Sequence, residues 1–78
     1  MNTVEFKGVK VNYNKTMNIF LNDDTRKMIF ISKGLDEIHA VLEVNENQEI
    51  KVVPSWNVNF SIINEKEITI DVNHNDYE

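Results

Sequence analysis

Hydrophobic and polar positions alternate along most of this chain. In the segment Thr3–Lys7, Val4 and Phe6 point to one face. The segment Val9–Tyr13 repeats the pattern after Gly8. Such alternation is typical of half-buried β-strands. Gly8 predicts a bulge or a bend, so one long bent strand and two short strands are both open here.

The segment Thr16–Ser32 is predicted to be a hairpin in the middle of a sheet. Its first strand, Thr16–Asn22, alternates, whereas its second contains the continuous apolar run Met28–Ile31. A short run of β-branched and aromatic residues indicates a strand that is covered on both faces. Asn14 and Lys15 are predicted to form the two-residue turn that leads into this hairpin.

Residues 32–44 allow two interpretations. As a strand, Glu37–Val44 alternates completely and points Ile38 inward and His39 outward. The alternative is one short helix near residues 35–43, which would give the domain an α+β fold. That helix covers only two turns, lacks a strong cap and would be weak without tertiary packing. We therefore predict a strand here.

The C-terminal part contains the cleanest hairpin pattern. One strand is predicted to face the core with Trp56, Val58, Phe60 and Ile62, and the next with Ile68, Ile70 and Val72. The strand Glu49–Val53 precedes them and ends at Pro54, because proline cannot donate to a β-ladder. Residues 73–78 are polar and are predicted to be a frayed tail.

Together these segments predict one all-β domain, residues 1–78. We expect six to eight short strands, mainly an antiparallel meander that forms a small barrel or a sandwich. The longest apolar run is four residues, which is too short for a membrane span. The chain contains no cysteine, which excludes a disulfide scaffold and favours a cytoplasmic location.

Charge divides the chain into two halves. Residues 1–33 hold six Lys or Arg and three Asp or Glu, whereas residues 34–78 hold two and ten. The halves carry +3 and −8, which sum to the net charge of −5. A dense set of carboxylates attracts basic surfaces and speeds encounter with them. We therefore predict a small non-enzymatic protein-binding module, such as a phage-type or mobile-element inhibitor that offers carboxylates to a basic surface.

Six residues are predicted to bind that partner protein: Glu43, Glu46, Glu49, Trp56, Glu65 and Glu67. Trp56 follows Pro54 and Ser55 at the start of a strand, and aromatic residues in such places anchor protein interfaces. Packing at the core or its rim is the competing interpretation for this tryptophan. The acids, in turn, would also serve simply to keep a small β-protein soluble and its sheet edges unpaired.

Two other functions compete with protein binding. A single-stranded nucleic-acid binder would stack bases on Tyr13, Phe20 and Trp56. Its basic component would be Lys7, Lys10, Lys15, Arg26 and Lys27. The net charge of −5 opposes this function, because phosphate attraction supplies most non-specific affinity. The third function is a structural subunit that forms a homo-oligomer through the edges of its sheets.

No catalytic, cofactor or metal site is predicted. A structural zinc site needs four ligands, and the chain offers two histidines and no cysteine. His74 lies near Asp71 and Asp76 in sequence, but a solvated polar tail explains this stretch equally well. His39 is predicted to be a surface residue.

Overall fold

The computed structural model describes residues 1–33, 37–55 and 58–72 of the 78-residue chain. Within these ranges it contains eight strands and no helix: β1 Asn2–Phe6, β2 Val9–Tyr13, β3 Met17–Asn22, β4 Lys27–Ser32, β5 Ile38–Val44, β6 Ile50–Pro54, β7 Val58–Asn64 and β8 Glu67–Val72. The all-β prediction is confirmed. The alternative helix near residues 35–43 is wrong over its described part, which is strand β5. Trp56, His74 and the predicted tail lie outside the described residues.

The strands form two four-stranded sheets. Sheet 1 has the order β1-β2-β8-β7 and sheet 2 the order β3-β4-β5-β6. Neighbouring strands are antiparallel except for β2 and β8, which are parallel. The predicted meander therefore describes sheet 2 only, because sheet 1 joins the first hairpin of the chain to the last.

Both sheets contribute to a single core, which makes the fold a sandwich. Its fully buried side chains include Val9, Val11, Ile68 and Ile70 of sheet 1 and Met28, Phe30, Leu42 and Val44 of sheet 2. Tyr13 of sheet 1 packs edge-on against Phe30 of sheet 2, with 6.1 Å between the ring centroids. Outside β4 these are the inward positions that the alternating pattern predicts. The prediction that β4 is covered on both faces is only partly right, because Ile29 and Ile31 on its other face are half-buried.

The β3–β4 hairpin does not lie in the middle of a sheet as predicted. Strand β3 is an edge strand, and only β4 has a neighbour on each side. Phe20 and Leu21 of β3 are accordingly 57% and 53% exposed. Asn14 and Lys15 form no hairpin turn, because the chain crosses from sheet 1 to sheet 2 at this point.

An irregularity in β5 reverses two further predictions. Phe30 pairs with Ala40 whereas Ile31 pairs with Ile38, so β5 contains one extra residue, His39, at this point. His39 is consequently 2% exposed and not a surface residue. Ile38 is 52% exposed and does not point into the core.

Gly8 belongs to a tight turn, so β1 and β2 are two short strands. Lys7 and Gly8 both have positive φ, 52° and 80°. A two-residue hairpin turn of type I′ requires positive φ at both central positions, and glycine adopts it without steric cost. A Cβ atom at Gly8 would lie 3.6 Å from Nε2 of Gln48, which is ordinary contact. The requirement for glycine is therefore one of backbone conformation.

We expect Gly8→Ala to lower the free energy of unfolding by about 1 kcal/mol, because alanine resists a left-handed backbone. The matched variant is Gly8→Asn, which should lose less, since asparagine tolerates this conformation. Urea unfolding followed by circular dichroism measures both. If both variants lose the same stability, the left-handed backbone at position 8 is not the cause of the loss.

Candidate functional site at the turn end

Four of the turns that join paired strands lie at one end of the sandwich, which we call the turn end (residues 7–8, 23–26, 45–49 and 65–66). Contacts join turns that are distant in sequence. Nζ of Lys7 lies 3.1 Å from Oδ1 of Asp23. The backbone N–H of Lys10, just after the first turn, donates to the carbonyl of Lys66 at 2.7 Å. The turn end thus combines the basic and acidic halves of the sequence.

Arg26 and Gln48 hold three of these turns together. Nε of Arg26 donates to the carbonyl of Val44 at 2.7 Å. Nη2 of Arg26 donates to the carbonyl of Asn45 at 3.0 Å and to Oε1 of Gln48 at 2.9 Å. Nε2 of Gln48 donates in turn to the carbonyl of Lys7 at 2.7 Å. Arg26, which the sequence grouped with a basic nucleic-acid surface, therefore uses its guanidinium inside the fold.

Asn45 shapes the β5–β6 turn, which carries two of the predicted partner-binding residues. Its Oδ1 accepts hydrogen bonds from the backbone N–H groups of Asn47 and Glu49, each at 2.9 Å. Its Nδ2 donates to Oε1 of Glu49 at 2.8 Å. An asparagine that bonds the backbone two residues on is typical of turns. The turn holds both Glu46 and Glu49 in exposed positions.

A groove of about 340 Å³ lies beside this turn, between the edge strands β6 and β7. We call it the β6–β7 groove; it is lined by Asn47, Gln48, Glu49, Ile50, Ile62, Asn64, Glu65 and Lys66. Ile50 and Ile62 provide its apolar surface, and Glu49 and Glu65 are its two carboxylates. Ile62 is 54% exposed, so this apolar surface is open to solvent.

Strand β7 leaves core-facing side chains uncovered. Phe60 and Ile62 pair with Ile70 and Ile68, which are fully buried. Residues directly opposite each other in a ladder share a face of the sheet, so Phe60 and Ile62 face the core side. They are nevertheless 38% and 54% exposed, because β7 lies at the sheet edge. The sequence predicted the face correctly but the burial wrongly, except at Val58, which is 6% exposed.

The predicted carboxylates are brought together in pairs. Glu49 and Glu65, which are 16 residues apart in sequence, line the β6–β7 groove. Glu43 and Glu46 line a second depression, of about 380 Å³, between the β3–β4 and β5–β6 turns. Glu67 lines neither of them. The remaining predicted residue, Trp56, is outside the described ranges.

Glu43 and Glu67 have basic neighbours within the sheets. Glu43 lies directly across from Lys27 of β4 and from Lys51 of β6. Glu67 lies directly across from Lys10 of β2. Opposite charges across a pair of strands stabilise a sheet. These two carboxylates are therefore less suited to an incoming partner than those of the β6–β7 groove.

The turns themselves remain acidic. They contain five acids (Asp23, Asp24, Glu46, Glu49 and Glu65) and three bases (Lys7, Arg26 and Lys66), a net charge of −2. Two of the bases are engaged, Lys7 by Asp23 and Arg26 by backbone carbonyls. The third base, Lys66, lines the β6–β7 groove with Glu49 and Glu65, which leaves the groove a net charge of −1. Carboxylates therefore outnumber bases at the turn end and in its groove.

Among residues 1–33, 37–55 and 58–72, no three His, Asp or Glu side chains are grouped so that they could hold a metal ion. The same part of the chain contains no helix long and apolar enough to cross a membrane. Comparisons with protein-family models, with curated proteins and with solved structures find no match to this chain.

Proposed function

We propose that this protein is a small non-enzymatic binding module that presents the β6–β7 groove to a basic surface of another protein. The observation that carries the proposal is the position of Ile62, which is 54% exposed in the groove that Glu49 and Glu65 also line. Exposed apolar surface rimmed by polar residues is typical of protein interaction sites. The carboxylates give this surface a preference for Lys and Arg.

The size and openness of the groove favour a protein over a small molecule. Ligand pockets enclose most of the surface of the molecule that they bind. The β6–β7 groove instead runs along the open edge of the sandwich, and Ile62 remains accessible. A partner side chain or loop can lie in such a groove without being enclosed.

Charge supports a basic partner. The protein carries a net charge of −5, and its turns carry −2. Complementary charge raises association rates and disfavours acidic partners. The sharper form of the proposal is an inhibitor, such as phages and mobile elements encode, that occupies the basic nucleic-acid groove of a host enzyme in the cytoplasm. The small size and the absence of cysteine are in keeping with that form.

The proposal is tested by photo-crosslinking in the cells that naturally make the protein. A photoreactive amino acid replaces Asn47, which lines the groove, and in a matched variant it replaces Asn18, an exposed residue of the opposite edge strand β3. We expect the photoreactive residue at position 47 to form a covalent adduct with one basic protein other than a second copy of this chain. The residue at position 18 should form no adduct. The same adducts from both positions would contradict the proposal.

Neutralising the carboxylates of the site tests their role in binding the identified partner. We expect the double variant Glu49→Gln, Glu65→Gln to weaken binding about tenfold, because each rim carboxylate contributes up to about 1 kcal/mol. The matched control is Glu5→Gln, Glu37→Gln, which removes the same charge from exposed positions outside the groove. Titration calorimetry at two salt concentrations measures both. Equal weakening in the two double variants would mean that only net charge matters.

A further inference from the structure

We infer that β7 is a dimerisation edge, at which this chain pairs with β7 of a second copy in an antiparallel ladder around a two-fold axis. The inference does not depend on the basic partner proposed above. A second copy would cover Ile62, so the dimer and the complex with that partner would compete for this residue. It rests on the charges of the four edge strands and on the exposure of two side chains.

The edge strands differ in how they are protected against pairing. β1 and β7 are the edges of sheet 1, and β3 and β6 are those of sheet 2. β1 carries Glu5, and β6 carries Lys51 and ends at Pro54. Charges and proline on an edge strand prevent pairing with other chains. β3 and β7 contain no charged residue and no proline.

Exposure of core-facing side chains distinguishes β7 from β3. On β3, Met17 is buried and Ile19 is half-buried, and one core-facing side chain, Leu21 opposite the fully buried Met28, is 53% exposed. On β7, Phe60 and Ile62 share a face with the fully buried Ile70 and Ile68 yet remain 38% and 54% exposed. A strand added beside β7 would extend the sheet and place its own side chains next to this uncovered pair.

A second copy of β7 is better suited to pair with this edge than a charged strand of another protein. The five residues Val58–Ile62 pair regularly with β8, and the register shift after Ile62 ends the regular segment. A two-fold axis perpendicular to the sheet keeps the same face of both copies on the same side. Phe60 and Ile62 of one copy would then lie beside Phe60 and Ile62 of the other. No charge on β7 attracts a basic segment, and none repels its own copy.

The acidic residues select the antiparallel arrangement. Glu65 and Glu67 follow β7 at the turn end of each copy. Parallel pairing would bring these carboxylates side by side. Antiparallel pairing about the middle of β7 would instead separate Glu65 from its equivalent by on the order of 30 Å at ~3.4 Å per residue. That distance exceeds the Debye length at physiological salt, so their repulsion is screened. The dimer would also present the carboxylates Glu49 and Glu65 of one copy at each end of the β7–β7 ladder.

The inference is tested by sedimentation equilibrium over a micromolar to sub-millimolar concentration series. We expect the mass to approach twice the 9.1 kDa of the single chain. Ile62→Lys should raise the dissociation constant of the dimer on the order of 100-fold, because two copies would oppose like charges at a buried seam. The matched control, Leu21→Lys, adds the same charge at a residue of β3 that is 53% exposed, against 54% for Ile62, and should leave the dimer intact.

Both variants should retain the circular dichroism spectrum of the parent protein, because both replaced side chains are exposed. A monomer at every concentration would overturn the inference. The inference would also be overturned if Ile62→Lys left the dissociation constant of the dimer unchanged, or if Leu21→Lys raised it as much as Ile62→Lys does. A monomer that still forms the crosslink from position 47 would remove the dimer and leave the proposed function standing.

Discussion

Replacing Phe30 by alanine is expected to lower the free energy of unfolding by about 3–5 kcal/mol, through lost apolar burial and the cavity that remains. Phe30 is fully buried in β4, which has neighbours on both sides, and its ring contacts Tyr13 of the other sheet. Domains of this size are only marginally stable, with total stabilities on the order of 5–10 kcal/mol. The substitution would therefore remove about a third of that stability or more.

The matched control for this substitution is Phe20→Ala in the same hairpin. Phe20 is 57% exposed on the edge strand β3, and its loss should cost less than about 1 kcal/mol. Urea unfolding followed by tryptophan fluorescence and circular dichroism measures both variants. Similar losses at positions 20 and 30 would mean that β4 does not form the centre of the core.

Replacing Arg26 by alanine is expected to cost about 2–4 kcal/mol, because charge-assisted hydrogen bonds to three acceptors are lost together. Two of those acceptors are backbone carbonyls of the β5–β6 hairpin, and the third is Oε1 of Gln48. Arg26→Lys should recover only part of this loss, since an ammonium keeps the charge but cannot reproduce the planar fork of donors. Thermal unfolding at one fixed salt concentration compares the two variants.

Lys27→Ala provides the control, because Lys27 is the next residue along the chain and is exposed. It should change stability by less than about 0.5 kcal/mol. If the Arg26→Ala variant is as stable as the Lys27→Ala variant, the hydrogen bonds of Arg26 make no net contribution to the free energy of unfolding. The result also bears on nucleic-acid binding: Arg26→Glu would confound binding with stability, and Lys10→Glu would oppose carboxylates across the ladder to Glu5 and Glu67. Lys10→Gln instead removes the charge of an exposed side chain without adding a like charge, and tests a basic surface more cleanly.

The alternating pattern was sufficient to predict the strands and most of their inner faces, because alternation is a local property of extended backbone. Val11 and Ile70 were both assigned correctly to the core in this way, and Phe30 from its continuous apolar run. Alternation does not determine which strand lies beside which. The edge position of β3 and the exposure of Ile62 follow from pairing between distant segments. A local sequence pattern contains no information about that pairing.

The candidate site was predictable only in part. The sequence indicated acidic turns, but the pairing of Glu49 with Glu65 in one groove depends on the way β6 approaches β7. The bulge at His39 left the apolar alternation of β5 intact, so nothing in the pattern revealed it. Arg26 occupies the last position of its hairpin turn, where a left-handed residue is common, and its φ is 59°. That position could have indicated its conformation, but not its hydrogen bonds to another hairpin.

The parallel pairing of β2 with β8 is reinforced by side chains. Nδ2 of Asn12 donates to Oε2 of Glu67 at 3.0 Å. Beyond the end of β2, Asn14 continues the ladder with its side chain: Nδ2 donates to the carbonyl of Val72 at 3.0 Å, and Oδ1 accepts from the N–H of Val72 at 2.9 Å. The amide of Asn14 thus acts as an additional peptide group of strand β2.

This ladder has an entropic cost that no hairpin in the molecule shares. Lys10 pairs with Glu67, so the ladder closes a loop of 57 residues that contains the whole of sheet 2. For a flexible chain, closing such a loop costs about 2 kcal/mol more than closing a hairpin loop. The side-chain hydrogen bonds of Asn12 and Asn14 offset part of that cost. Sheet 1 therefore depends on sheet 2 not only for packing but for folding into a compact unit that brings β2 and β8 within reach of each other.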